Sequence, residues 1–523
     1  MSRVEKLPQC RGFRRSFTRT FYLTLLVTAL AKGTAFLPGY SIDDYGRVVK
    51  GAQSLALLVQ EKGEKGRFGS AFLNWCLHLL QLDPTRSQVL FVASSILVSA
   101  LFAALVVRFW NLDKSGWLAP AMACIVANHP YTAEIFTFRA AIGIALFPLA
   151  ILSLLLIPRR GSPWLMAAGS VLFAAALSIY QLALHSCLMI VSVGAAIWLT
   201  RYLVLGSAHG WPKRVVSLLS IRRLARHRNT ALLGCAILGA VLYTASSVAL
   251  VAGLRMSLST RTKIIPFHQL GERAHLVLAE LEGRFLGPEP LLAPLTKGML
   301  LLVLMSALAG LLWRTRSWLR PRPPLLATAI IALLLASLAW SLGTLLLLAE
   351  FWPAPRIMAH VGIFWAGVLA IAHLCWGQRV RVALAMLAVF IVLSFVGSNN
   401  RVLDEQLRLN RRDAHRANRI VARLAALPGF SKVRYVTIAG GDWGYPMRFE
   451  TVDHDLNISA FGAYWGKVNV LAEISGYDLQ LATDGAQIQA AAAYCRGLEP
   501  WPGPRSVTIR DDLAIVCLGP GPG

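Results

Sequence analysis

Charge is scarce in this chain, and acid is scarcer still. Only 15% of its 523 residues are Asp, Glu, Lys or Arg, where an ordinary soluble domain carries about 25%. The set AVILMFWYC makes up 56%. A soluble protein of this length has nowhere to hide so much apolar surface, so lipid must solvate much of it. There is no Gly-rich phosphate loop, no zinc-ligand spacing and no cold-shock type of aromatic motif, and no acidic residue falls near the middle of an apolar run. The missing intramembrane acids argue against an ion-driven transporter, which needs ionisable groups at the midplane. The net charge of +26 would suit nucleic acid, but the basic residues sit in short clusters between apolar runs. That placement is a topology signal.

Cysteines are few, eight in all. Cys124, Cys187, Cys235 and Cys375 fall in apolar runs and Cys10 in the basic N-terminus, where they read as small buried residues. Cys76 falls in or near an outer-face loop. Cys495 and Cys517 stand in the polar C-terminal segment, and a disulfide between them is expected if that segment is periplasmic.

A membrane span needs about 20 apolar residues. About eleven segments qualify: 19–38, 88–107, 117–130, 138–157, 163–180, 182–204, 230–252, 296–313, 325–349, 357–376 and 380–397. The third is short, and the fifth and sixth need a tight turn at Tyr180-Gln181 to separate them. The first run has basic flanks but no convincing cleavage site, so it reads as a retained span. Segments 1–20, 108–117, 158–162, 201–228, 314–322 and 379–381 hold 23 Lys and Arg, against only Glu5 and Asp113 as acids. These face the cytoplasm by the positive-inside rule. The alternate loops, with Asp43, Asp44, Glu61, Glu64, Glu134, Glu272, Glu280, Glu282, Glu289 and Glu350, then face the periplasm.

The expected architecture is an all-α polytopic membrane protein (residues 1–398) with a small α/β C-terminal domain (399–523) in the periplasm. Residues 400–427 carry helical spacing, SKVRYVTIAG reads as a strand, residues 484–498 as a helix, and SVTIRDDLAIVCL as a hairpin turning at Asp511-Asp512. The N-terminus is cytoplasmic and the C-terminus periplasmic.

The candidate chemistry lies on the periplasmic side. Asp43-Asp44-Tyr-Gly-Arg47 follows the first span. Adjacent carboxylates raise each other's pKa, which suits a general base, and Arg47 can offset them or bind phosphate; the plainer reading is an acidic loop cap. Lys62, Lys65 and Arg67 form a basic patch on the side where basic residues are disfavoured, pointing to an anionic partner or to solubility alone. Asn128-His-Pro-Tyr-Thr-Ala-Glu134 and Arg139 lie between two spans, where Glu134 and Arg139 are expected to pair. Tyr180-Gln181 is a substrate contact or interhelical glue. Arg356, at the mouth of the tenth span, is a phosphate clamp or a snorkelling anchor.

Taken in order and on one membrane side, these residues resemble the bacterial glucosyltransferase II family, the serotype-converting O-antigen glucosyltransferases of GT-C-like architecture. The resemblance rests on Asp43-Asp44-Tyr-Gly-Arg47, Gly66-Arg67, Asn128-x-Pro130 with Glu134 and Arg139, Ser178-Ile-Tyr180-Gln181 and Pro355-Arg356, and covers roughly residues 20–400. It implies a polyprenyl-phosphate-sugar donor, undecaprenyl-phosphate-glucose in the family, and a lipopolysaccharide O-antigen or other surface glycan as acceptor, at the periplasmic face of the bacterial inner membrane. Asp43 or Asp44 becomes the acceptor's base, with the same pair the candidate ligands of a divalent cation (Mg or Mn). Arg47, Arg67, Arg139 and Arg356 become donor-phosphate ligands, and Asn128, Glu134, Tyr180 and Gln181 substrate contacts. The activated donor supplies the energy, which agrees with the missing nucleotide loop. Competing expectations are a flippase of lipid-linked sugars and a polysaccharide polymerase or ligase.

Overall fold

The computed structural model describes residues 8–50, 54–157, 162–205, 228–257, 259, 263–316, 322–441 and 449–519. Most of the basic 201–228 loop lies outside them, as does the side chain of Arg47. A helix overlaps each of the eleven apolar segments. The first is α1 (Pro8–Lys32). The loop after it folds as three short helices, α2 (Ile42–Lys50), α3 (Leu55–Gly63) and α4 (Phe68–Leu79). Then come α5 (Gln88–Phe109), α6 (Leu118–Asn128), the single turn α7 (Ala133–Thr137), α8 (Arg139–Leu156), α9 (Pro163–Ile179) and α10 (Leu182–Leu205). They are followed by α11 (Arg228–Gly253), α12 (Leu270–Phe285), α13 (Pro294–Arg316), α14 (Arg322–Ala339), α15 (Val361–Cys375) and α16 (Gln378–Ala425).

Among the described residues six helices are long and apolar enough to cross a membrane: α5, α10, α11, α13, α15 with its 3-10 lead from Pro355, and α16. Exposed large side chains such as Leu26, Val89, Val241, Leu302 and Phe390 mark the outward faces of α1, α5, α11, α13 and α16, the surface lipid would cover.

The helices of the other five expected spans, α1, α6, α8, α9 and α14, fall outside these six, and for two of them the reason is plain. The 117–130 segment yields only the eleven residues of α6, about 16 Å of helix against a hydrocarbon layer of about 30 Å. Every residue of α6 is buried, so protein surrounds it on all sides. The 325–349 segment stops at Ala339, because the chain then turns through a short 3-10 helix at Gly343–Leu346 and Leu348 pairs with Ile264 in an isolated bridge.

The last apolar run and the charged segment after it are one helix. Its 48 residues reach about 72 Å at 1.5 Å per residue. No Gly or Pro breaks it after Gly397 until Pro428. The second half changes solvent: Ala417, Ile420 and Leu424 form its buried stripe, while Arg408, Arg411 and Arg419 stay exposed.

The C-terminal unit is a mixed four-stranded sheet with α17 (Tyr464–Ser475) and α18 (Gly485–Cys495). The strands β1 (Tyr435–Gly440), β2 (Gln480–Leu481), β3 (Val507–Arg510) and β4 (Leu513–Gly519) run in the order β2-β1-β4-β3. β1 pairs in parallel with β2 and β4, and β3 pairs antiparallel to β4. The expected hairpin is present, with Asp511 at φ 53° in its turn, a left-handed conformation that Asp tolerates. Cys495 and Cys517 are joined by a disulfide across a Cα–Cα separation of 5.4 Å. The loop helix α2 completes this unit's core: Tyr45, 2% exposed, packs with Ile420, Phe461 and Leu471. The first loop and the C-terminal unit therefore fold as one body, across the 398/399 division read from the sequence.

Candidate active site

The loop before α4 is held in place from two helices away. Gly66 sits at φ +67°, and a Cβ there would meet the Tyr243 hydroxyl at 2.8 Å. Only glycine combines that backbone with that approach. The Tyr243 hydroxyl donates to the Gly66 carbonyl (2.8 Å), and the Gln181 amide donates to the Lys65 carbonyl (3.3 Å) and to the Tyr243 oxygen (3.2 Å). Arg67 then lies with its guanidinium 4.8 Å from the Tyr180 ring centre and its Nε donating to Gln181 Oε1 at 3.4 Å. Tyr180 can do this because it is extended (φ −157°, ψ 122°) where α9 stops, the break the sequence demanded.

Arg356 comes from the other side. Its backbone N–H donates to Glu134 Oε2 at 2.6 Å and its Nη1 to Glu134 Oε1, while Nη2 donates to Asp455 Oδ2 at 2.9 Å. Its guanidinium carbon lies 5.1 Å from the Phe138 ring centre. Glu134 is fully buried. Burial raises its carboxyl above the usual range, against the opposing charge and hydrogen bonds of Arg356. The expected Glu134–Arg139 pair is thus corrected: the far guanidinium of Arg356 takes the carboxylate, because α8 begins at Arg139 and carries that side chain toward the first loop. There it lies 4.3 Å over the Tyr40 ring.

Between Arg67 and Arg356 lies a cavity of about 330 Å³. Lys65, Arg67 and Arg356 give it positive charge, and Glu350 gives it one carboxylate. Leu182, Leu345, Leu348 and Ile357 make an apolar flank. Tyr180 and Trp352 add aromatic surface, and the buried Trp352 Nε1 has no hydrogen-bond partner among the described residues. His185 also lines the cavity, with Nδ1 2.6 Å from the Trp340 carbonyl and Nε2 2.9 Å from Thr344 Oγ1.

Of the sequence candidates, Arg67, Arg356, Tyr180 and Gln181 share this cavity. Glu134 stands directly behind Arg356. Asn128 lies deeper, buried between helices, donating to Thr28 Oγ1 (3.2 Å) and the Cys124 carbonyl (3.1 Å); it ties α6 to α1. Its carbonyl accepts from Asn399 (2.8 Å), whose side-chain oxygen takes the buried Lys32 ammonium.

The two adjacent aspartates divide. Asp44 is 1% exposed, and its Oδ2 accepts from the Ser41 N–H (2.8 Å), the Ser41 hydroxyl (2.9 Å) and the Arg139 N–H (2.9 Å). It closes the first turn of α2 and caps α8 with one oxygen. Asp43 is exposed on the first turn of α2. Neither lines the cavity. Among the described residues no three His, Cys, Asp or Glu side chains come together as metal ligands do.

Sequence reading passed over Asp455, Glu350, Trp352, His185 and Tyr243 as site residues. Trp352 and Glu350 stood next to a motif; Asp455, Tyr243 and His185 carried no local signal.

A segment of the C-terminal unit closes this region. Asp453 and Asp455 both reach into the loops, Asp453 with Arg284 (Nη2 to Oδ1, 3.1 Å) and Asp455 with Arg356. His454 stacks edge-on against Trp352 with ring centres 5.2 Å apart.

A family model described as Glucosyl transferase GtrII matches residues 34–371. The chain belongs to the GtrII glucosyl transferase family. The matched region runs from the 3-10 turn after α1 into α15, so it contains the loop helices, the cavity and the Glu134–Arg356 pair; Asp453 and Asp455 lie beyond it. No curated protein and no solved structure matches this GtrII chain.

Proposed function

We propose that this GtrII-family glycosyltransferase takes a sugar, glucose by the family's name, from a polyprenyl-phosphate carrier and passes it to a surface glycan at the periplasmic face of the inner membrane. The observation that carries this is the make-up of the cavity: Lys65, Arg67 and Arg356 line it together with Leu182, Leu345 and Leu348. A phosphate esterified to an isoprenoid chain needs both surfaces at once.

In the proposed reaction an acceptor hydroxyl attacks the anomeric carbon, a new C–O bond forms, and the bond from that carbon to the phosphate oxygen breaks. Charge grows on the departing phosphate. Arg67 and Arg356 stand where preorganised cations would stabilise it, the kind of effect worth about 3–4 kcal/mol per donor in other enzymes. The proton from the acceptor goes to a carboxylate. Glu350 lines the cavity and is our first candidate; Asp43, on the neighbouring loop, is the second. Asp44 holds the start of α8, and so Phe138 beneath Arg356. Trp352 Nε1 offers a donor to a sugar hydroxyl. No step is assigned to a metal ion.

The test is transfer of labelled glucose from polyprenyl-phosphate-glucose by purified protein in detergent, where transport has no meaning. Transfer by wild type that is lost in Arg67→Gln and in Arg356→Gln, each shown by thermal unfolding to be folded at the assay temperature, supports the reading. Folded wild type that consumes no donor, whatever acceptor is offered, overturns it in favour of a flippase or a polymerase of diphosphate-linked oligosaccharides.

A further inference from the structure

The cavity wall holds a hydrogen-bond chain that neither phosphate binding nor proton removal uses. α14 ends at Ala339, and the carbonyls at a helix's end have no partner within the helix. The carbonyl of the next residue, Trp340, meets His185 Nδ1 at 2.6 Å. A carbonyl only accepts, so Nδ1 carries the proton. In the neutral ring that leaves Nε2 with a lone pair, and Nε2 lies 2.9 Å from Thr344 Oγ1. The Thr344 hydroxyl therefore donates to it. The buried His360 backs the His185 ring, with ring centres 5.2 Å apart.

His185 is 4% exposed, but Thr344 is only partly buried, and both line the cavity. A tie between helices alone would need neither residue on the wall. Having given its one proton to His185, the Thr344 oxygen meets the cavity with lone pairs only. Trp352 Nε1, in the same cavity, has a proton to give and no hydrogen-bond partner among the described residues. A hydroxyl group serves both kinds of neighbour, since it donates to one and accepts from another. A pyranose ring carries a row of hydroxyls. The placement fits as well. Gln181 accepts from Arg67 at 3.4 Å, and His185 follows four residues later, one helical turn or about 5.4 Å along. That is the reach of a sugar ring from the phosphate it is attached to.

We infer that Thr344, oriented by His185, accepts a hydrogen bond from one hydroxyl of the sugar being transferred, and so selects a hexose whose hydroxyl at that position is free. The inference rests on the transferase reading. Thr344 makes the contact. His185 acts through it and is a positioning residue.

The test measures kcat/KM for full-length protein in detergent with polyprenyl-phosphate-glucose and its 2-, 3-, 4- and 6-deoxy analogues. Wild type should lose about tenfold or more with at least one analogue, the cost of leaving a polar group of the site unmet. Thr344→Val should lose about as much with glucose itself and nothing further with that analogue, because the missing hydroxyl no longer has a partner to lose. Thr344→Ser keeps the hydroxyl and should stay within about threefold of wild type with every donor. His185→Leu should repeat the Thr344→Val pattern in weaker form, since the hydroxyl remains but its orientation is lost; an equal loss on all five donors would remove His185 from the inference. Thermal unfolding of each variant confirms that it is folded. A Thr344→Val protein that loses the same factor with all five donors shows only a structural tie and overturns the inference. So does a wild type that takes every deoxy analogue as well as glucose, a result that needs no variant. Wild type that transfers no sugar from any donor removes the transferase reading, and the inference with it. Wild type that transfers glucose without the donor pattern removes the inference alone.

Discussion

Glu134 and Arg356 lie 222 residues apart and meet through both carboxylate oxygens, one taking the Arg356 backbone N–H at 2.6 Å and the other its guanidinium. The pair joins the turn after α6 to the lead of α15, with Glu134 wholly buried. Removing one partner strands a buried charge, which costs about 3–5 kcal/mol in other proteins. Arg356→Gln should therefore lower the unfolding temperature in detergent markedly. Glu134→Gln/Arg356→Gln should recover part of that loss, because no charge is left unpaired. Additive losses in the double variant would show that the two residues do not act as a pair.

The base assignment is tested by three isosteric changes. Glu350→Gln should lower the transfer rate by about a hundredfold or more with little change in donor affinity, as loss of a general base does. Asp43→Asn should act likewise if the acceptor approaches from the first loop. Asp44→Asn should reduce activity mainly through stability, since its oxygen serves three hydrogen bonds at helix starts. Single-turnover rates beside thermal unfolding of the same samples separate these outcomes. An Asp44→Asn protein with wild-type stability and no transfer would return the base to Asp44.

Gly66→Ala places a methyl group 2.8 Å from the Tyr243 hydroxyl on a backbone with φ +67°. Its strain should be about 1–3 kcal/mol. The displaced loop carries Arg67, so donor KM should rise more than kcat falls. Tyr243→Phe in the same background should not restore the wild-type KM, since the left-handed backbone stays strained. A Gly66→Ala protein with unchanged kinetics would show that this loop does not position Arg67 for the donor.

Docking of the C-terminal segment should weaken in acid. Burial alone would raise the Asp453 carboxyl, but the hydrogen bond with His454 and the Arg284 guanidinium hold it below its ordinary 3.8. A carboxyl depressed on folding adds stability that is present above its unfolded pKa and is lost as pH falls through the folded one. Hydrogen exchange across residues 449–463 should therefore be flat from neutral pH to about 4 and speed up below that. Asp453→Asn should remove the step. Exchange that is already fast at neutral pH would contradict the docking.

Much of the scaffold was legible because a helix in lipid leaves a local mark. Runs of about 20 apolar residues located the helices, and the interruption at Tyr180-Gln181 located the break between α9 and α10. Strand alternation and the Asp511-Asp512 turn located the hairpin. The same logic overreached at 117–130, since apolar residues enclosed by protein and apolar residues facing lipid look alike in sequence. It also divided residues 378–425 at the change of composition, although nothing in the backbone stops a helix from passing from lipid into water.

The sequence by itself determined that this chain belongs with membrane helices, that arginines and aromatics gather in alternate loops, and in what order those motifs come. These are properties of short stretches, set by hydropathy and spacing. Only the tertiary structure decided which of those groups meet. It put Arg67 and Arg356 across one cavity, gave Glu134 to Arg356 instead of Arg139, buried Asp44 as a helix cap, and brought Asp455 to the site from outside the family match. A buried charge must find an opposite charge or a hydrogen bond wherever the packing brings one, and over 222 residues sequence neighbourhood says nothing about which partner that will be.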